Sequence, residues 1–148
     1  MWADILASLG IIVASGLSMA GAIFGIITCG NAMAGASTQR PEILTKALIP
    51  VVLAEAVAIY GLLTSFILVG KLGSVELVEI AFRALSAGIV SGVSGLVAGI
   101  GIGYSGAAMT TAAAESPETF SRNFVAVVLA EAIAIYGLLV AFMIIAKV

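Results

Sequence analysis

The chain has 148 residues, 62% of them hydrophobic and 9% charged, with a mean hydropathy of +1.27, and so much apolar surface excludes a water-soluble domain of this size. Its net charge of −2 and six scattered Lys and Arg residues give no basic surface for nucleic acid. It has no histidine and no Cys, Asp or Glu cluster at metal-ligand spacing, which leaves zinc or iron without ligands and calls for no cofactor.

Four apolar runs follow in chain order, at about 5–33, 43–70, 84–112 and 123–146. Each exceeds the ~20 residues a helix needs to cross about 30 Å of hydrocarbon. In lipid only a helix or a closed barrel hides its backbone polar groups, and runs of this length without strict alternation predict helices. The first run has no basic residue before Arg40, so it is expected to stay in the membrane rather than act as a cleaved signal. It carries Gly10, Ala14, Ser18 and Ala22 at spacing four, together with Gly21, Gly25 and a single buried-type cysteine, Cys29. The second run carries Glu55. The third carries Gly88, Gly92, Gly95, Gly99 and Gly103, a pattern of small residues that lets helix backbones approach closely. The fourth carries Glu131. Polar connections are predicted at 34–42 and 110–122, and a link at 71–80.

The halves are copies of one another. At an offset of 76 residues, VVLAEAVAIYGLLTSFILVGK (51–71) matches VVLAEAIAIYGLLVAFMIIAK (127–147) at 14 of 21 positions, and Pro41-Glu42 falls on Pro117-Glu118. The fold class is therefore an all-α membrane protein, four transmembrane helices arranged as two tandem hairpins, 1–72 and 73–148. Two spans per copy is an even number, so both copies enter the membrane from the same side and the repeat is parallel. Glu55 and Glu131 must then share a depth. Glu55 lies roughly 18 Å along a helix starting near Ile43 and roughly 24 Å from its end near Lys71, which is close to mid-membrane.

A carboxyl at that depth costs about 2.5–3.5 kcal/mol or more if charged, so it is kept neutral, paired or used. No Lys or Arg shares either span at that depth. Desolvation then favours the protonated acid. An interhelical hydrogen bond is the structural alternative, but two equivalent acids at equal depth point to a repeated ion-binding site.

LAEAxAIYGLL, present at 53–63 and 129–139, the glycine-rich odd helices and the turn QRPE at 39–42 resemble the proteolipid (c or K) subunits of rotary V-type and A-type ATPases. The resemblance covers the whole chain, and the four-helix duplication looks like the vacuolar-type proteolipid. It implies a homo-oligomeric ring in the lipid bilayer, with odd helices inside and even helices outside. It implies rotation against a static a/I-type membrane subunit that offers half-channels and an arginine, and a grip by central-stalk subunits through loops 34–42 and 110–122. Glu55 and Glu131 match the ion-carrying acids. Tyr60 and Tyr136 match a tyrosine that hydrogen-bonds a neighbouring carboxyl, which would put Tyr60 on Glu131 and Tyr136 on a glutamate of the next subunit. Packing or interfacial anchoring is the alternative role for both rings.

The sequence departs from the family pattern in two ways. Many vacuolar-type members keep one acid per chain and this one keeps both, so more ions are carried by a ring of given size. Sodium-carrying members place Gln and Thr beside the acid, whereas Ala56, Val57, Ala132 and Ile133 stand here. Protons are favoured on that ground. Sodium at Glu55 and Glu131 stays open through Thr28, Cys29, Tyr104 and Ser105. A small proton-coupled secondary transporter is the competing function, and a pore or scaffold a third. The chain has no GxxxxGK[ST] loop and is not expected to hydrolyse ATP on its own. Retention of both acids favours a prokaryotic cell membrane, with a vacuolar-type endomembrane as the alternative.

Overall fold

The computed structural model describes residues 2–72 and 77–148. Among these there are four α-helices: α1 (Trp2–Gln39), α2 (Leu44–Lys71), α3 (Val78–Glu115) and α4 (Thr119–Ile145), with a short 3₁₀ turn, Pro41–Ile43, leading into α2. All four are long and apolar enough to cross a membrane.

The helices overrun the apolar segments that announce them, and this corrects the predicted bounds. α1 runs from Trp2 to Gln39 rather than over 5–33, and α3 from Val78 to Glu115 rather than over 84–112. At 38 residues each they extend about 57 Å, well beyond the hydrocarbon. The connections expected at 34–42 and 110–122 are consequently helical through Gln39 and Glu115, and what remains is two tight turns. Polar residues do not stop α1, because Ser37 and Thr38 return their hydroxyls to the carbonyls of Ala34 (3.0 Å) and Gly35 (2.7 Å) within the helix. Proline stops it. Arg40, before Pro41, takes φ −138° and ψ 89°, and Ser116, before Pro117, takes φ −137° and ψ 95°. A prolyl ring disfavours the helical region for the residue before it, so both hairpins break at the same step. At the other end, Glu79 and Arg83 pair one turn apart at 2.7 Å inside α3, so charge marks the edge of the apolar run and not the start of the helix. The 71–80 link falls partly at 73–76, which with Glu76 lies outside the described residues.

α1 and α3 pack along one another as an inner pair. A Cβ on Gly88 would run into the backbone of Gly10, and one on Gly99 into the backbone of Gly21; on Gly21 it would lie 2.6 Å from the Gly95 carbonyl oxygen. These crossings require glycine, since backbone cannot move aside as a side chain can. α2 lies against α1 and α4 against α3, while α2 and α4 touch one another only lightly and α1 and α4 hardly at all. The core is built of small residues, including Ala14, Ala22, Ala54, Ala98 and Ala134, with Val57, Ile102 and Val127 between them. Many large side chains point outward: Ile12, Val52, Phe66, Leu129 and Met143 are all exposed. That inversion suits a protein whose outer solvent is hydrocarbon.

Candidate functional site

α2 buries a stripe made of Ala47, Pro50, Ala54, Val57, Gly61, Thr64 and Leu68. Glu55 stands one residue round from that stripe and is exposed. On α4 the equivalent Glu131 is half-buried. In both hairpins the odd helix offers a glycine at the level of the acid. A Cβ on Gly25 would meet the Ala54 Cβ at 2.7 Å, and one on Gly101 would meet the Ala130 Cβ at 3.1 Å. Ala54 and Ala130 precede the two glutamates, so close helix approach fixes where each carboxyl leaves the helix surface.

The carboxyls have different surroundings. Tyr60 Oη on α2 donates to Glu131 Oε1 on α4 at 3.1 Å, a bond between the two halves of the chain. Among the described residues no side chain is bonded to Glu55. Tyr136, the repeat equivalent of Tyr60, is 62% exposed on α4 and meets no carboxyl among the described residues of the chain. The other two residues singled out as partners are occupied at home: Thr28 Oγ1 donates to the Phe24 carbonyl at 2.7 Å and Ser105 Oγ to the Gly101 carbonyl at 2.7 Å. Cys29 Sγ lies 3.5 Å from the Ile102 carbonyl oxygen, and the Tyr104 ring packs on Phe24 with centroids 5.5 Å apart.

The floor beneath both acids is apolar, one buried cluster of Ala54, Val57, Ala98, Ile102, Val127 and Ala134 with Tyr60 and Ala130 against it. The ion pairs Arg40–Glu42 and Arg83–Glu79 lie at helix ends, away from both acids. Among the described residues no group of three His, Cys, Asp or Glu could hold a metal ion. A carboxyl with one phenolic partner on an apolar floor can hold a proton; stripping the water from sodium there would need several more oxygens.

One polar feature was not singled out from the sequence. Thr64, fully buried one turn beyond Tyr60, places Oγ1 2.9 Å from Ser91 Oγ on α3 and 3.2 Å from the Tyr60 carbonyl oxygen. Ser18 Oγ on α1 reaches the Ser91 carbonyl at 3.4 Å, and Ser65 Oγ reaches that of Ile11 at 2.9 Å. The signal was present in the repeat: Thr64 and Ser65 fall on Val140 and Ala141, a break in an otherwise close match.

The family model for the ATP synthase C subunit matches the chain twice, over residues 9–68 and 85–144, one match per hairpin. Among curated proteins, the 16 kDa proteolipid of the V-type proton ATPase of Ovis aries is 36% identical over 140 residues, covering 95% of this chain and 90% of the relative. The corresponding V-type proton ATPase c-type subunit of Candida tropicalis is 34% identical over 141 residues, covering 95% and 88%. The c″-type subunit of the Saccharomyces cerevisiae V-type proton ATPase is 34% identical over 148 residues, covering 95% and 68%.

Proposed function

Since this chain belongs to the ATP synthase C-subunit family, as a duplicated four-helix proteolipid of V-type ATPases, we propose that it is a rotor-ring subunit that carries protons on Glu55 and Glu131. It is a non-catalytic, ion-translocating part of the machine: ATP hydrolysis belongs to other subunits.

The observation that carries this reading is the pair of mid-helix acids, 76 residues apart, on an apolar floor with no cation beside either among the described residues. In hydrocarbon each must be neutral, because the charged form is expensive there. The proton is that neutralising partner. Where a static membrane subunit opens a water path and presents a positive charge, the acid ionises; when rotation returns it to lipid, it takes a proton up again. Ring copies would set α1 and α3 inside and α2 and α4 outside, since glycine backbones crowd the first pair and bulky side chains clothe the second. The stalk would meet the ends of α1 and α3 with the turns at Arg40–Ile43 and Ser116–Glu118. The vacuolar-type relatives favour an endomembrane over a prokaryotic cell membrane. The acids lie on α2 and α4 of a parallel duplication, which favours a rotor over a small secondary transporter.

Dicyclohexylcarbodiimide, which attacks protonated carboxyls in apolar surroundings, should modify Glu55 and Glu131 in the assembled membrane complex. Added sodium should leave the rate unchanged. Slower modification with sodium at high pH would replace the proton with sodium as the cargo, and absence of modification at both residues would end the ion-carrying reading.

A further inference from the structure

We propose that Thr64 is a positioning residue for Tyr60, and that it makes the two carboxyl sites of this chain inequivalent: Glu131 faces a fixed tyrosine, Glu55 a loosely held one. The inference rests on the ion-carrying reading above and extends it from two like sites to two unlike ones.

The hydrogen-bond geometry of α2 carries the argument. Thr64 donates its one hydroxyl proton to the Tyr60 carbonyl oxygen, 3.2 Å away. Its oxygen then accepts from Ser91 Oγ on α3, 2.9 Å away. Every proton in that chain has a place, and the turn that carries Tyr60 is tied to α3. The next residue, Ser65, ties the same turn to α1 through the Ile11 carbonyl at 2.9 Å. Buried hydroxyl pairs of this kind define one helix register, because sliding or rotating α2 would leave polar atoms unpaired in an apolar core. Tyr60 therefore reaches Glu131 from a fixed base.

α4 lacks the device. Val140 and Ala141 stand where α2 has Thr64 and Ser65, so the turn carrying Tyr136 is held by apolar contact and by Gly137 fitting against Ser94. Assembly cannot correct this, since no neighbour can give valine a hydroxyl. Applying the 76-residue offset to the Thr64–Ser91 pair puts residue 140 opposite residue 15 of the next copy, and residue 15 is a serine. Val140 is 45% exposed within one chain, as a residue facing that neighbour would be. The serine of the second lock is thus present, with its hydroxyl turned to the Ile11 carbonyl of its own helix at 3.0 Å for want of a hydroxyl at position 140.

The test is modification of the purified complex by dicyclohexylcarbodiimide, with Glu55 and Glu131 followed separately by peptide mass. A carboxyl held by a fixed donor is slower to turn towards the reagent. Glu55 should react about two- to tenfold faster than Glu131, the range that one hydrogen bond supports. Thr64→Val should raise the Glu131 rate towards that of Glu55 and leave Glu55 unchanged, and Thr64→Ser should restore the difference. Val140→Thr, which adds a hydroxyl opposite the next copy's Ser15, should slow Glu55 alone and keeps the test alive if Thr64→Val does not assemble. Equal rates in the unaltered complex would overturn the inference while leaving both glutamates as ion carriers. So would a Thr64→Val change that moved both rates together. No modification at either residue would instead overturn the ion-carrying reading, and this inference with it.

Discussion

Tyr60 on α2 and Glu131 on α4 are joined by a hydrogen bond of 3.1 Å, so the second hairpin's acid is completed by the first hairpin's tyrosine. Removing that hydroxyl with Tyr60→Phe should cost the folded chain about 0.5–1.5 kcal/mol. Tyr136→Phe should cost the unassembled chain nothing measurable, since Tyr136 meets no carboxyl among its described residues. Thermal unfolding of both variants in detergent, before ring assembly, makes the comparison.

The α1–α3 crossing makes a steric prediction. At Gly88 and Gly99 an added methyl meets the backbone of Gly10 and Gly21, and overpacking of that kind costs about 1–3 kcal/mol. Gly88→Ala and Gly99→Ala should each lower the unfolding midpoint. Gly70→Ala, where nothing lies within 4 Å, should not. Equal tolerance at all three would mean that the inner helices are not packed backbone to backbone.

Gly25 and Gly101 hold the same place in the two hairpins but differ in tightness. A methyl on Gly25 would sit 2.7 Å from the Ala54 Cβ and 2.8 Å from the Gly99 carbonyl oxygen, whereas one on Gly101 would sit 3.1 Å from the Ala130 Cβ alone. Gly25→Ala should therefore displace α2, and Glu55 with it, and reduce ring yield and transport. Gly101→Ala should be the milder change, and the ratio of assembled complex recovered from the two variants reads this out.

Much of this architecture was legible in the sequence, because hydrocarbon imposes length and composition on each span and duplication puts two acids at one depth. The small-residue pattern of the first and third runs likewise pointed to the close inner pair, Gly10 to Gly88 and Gly21 to Gly99. Helix ends were not legible. Hydropathy reports where lipid stops, and α1 continues past it on residues such as Ser37 and Thr38, whose hydroxyls bond inside the helix. The prolines were the better signal, for both breaks fall at the residue before Pro41 and Pro117. The surroundings of the acids were legible in part. The family motif pointed to Tyr60, whereas the bonds from the Thr28 and Ser105 hydroxyls to carbonyls of their own helices are not read from sequence. Thr64 and Ser91 escaped notice because a buried hydroxyl pair separated by 27 residues has no local pattern. The 76-residue offset marks Thr64 and Ser65 as departures from Val140 and Ala141, but it leaves their partner on α3 unmarked, since Ser91 matches Ser15.

The central claim is that Glu55 and Glu131 exchange protons during turnover. Its most direct test is proton uptake by membrane vesicles holding complexes in which Glu55→Gln, Glu131→Gln or both have been introduced, with ring assembly checked in each. The account predicts intact rings throughout, reduced uptake for each single change and none for the double change. Intact rings that pump at the unaltered rate with both glutamates replaced would contradict it.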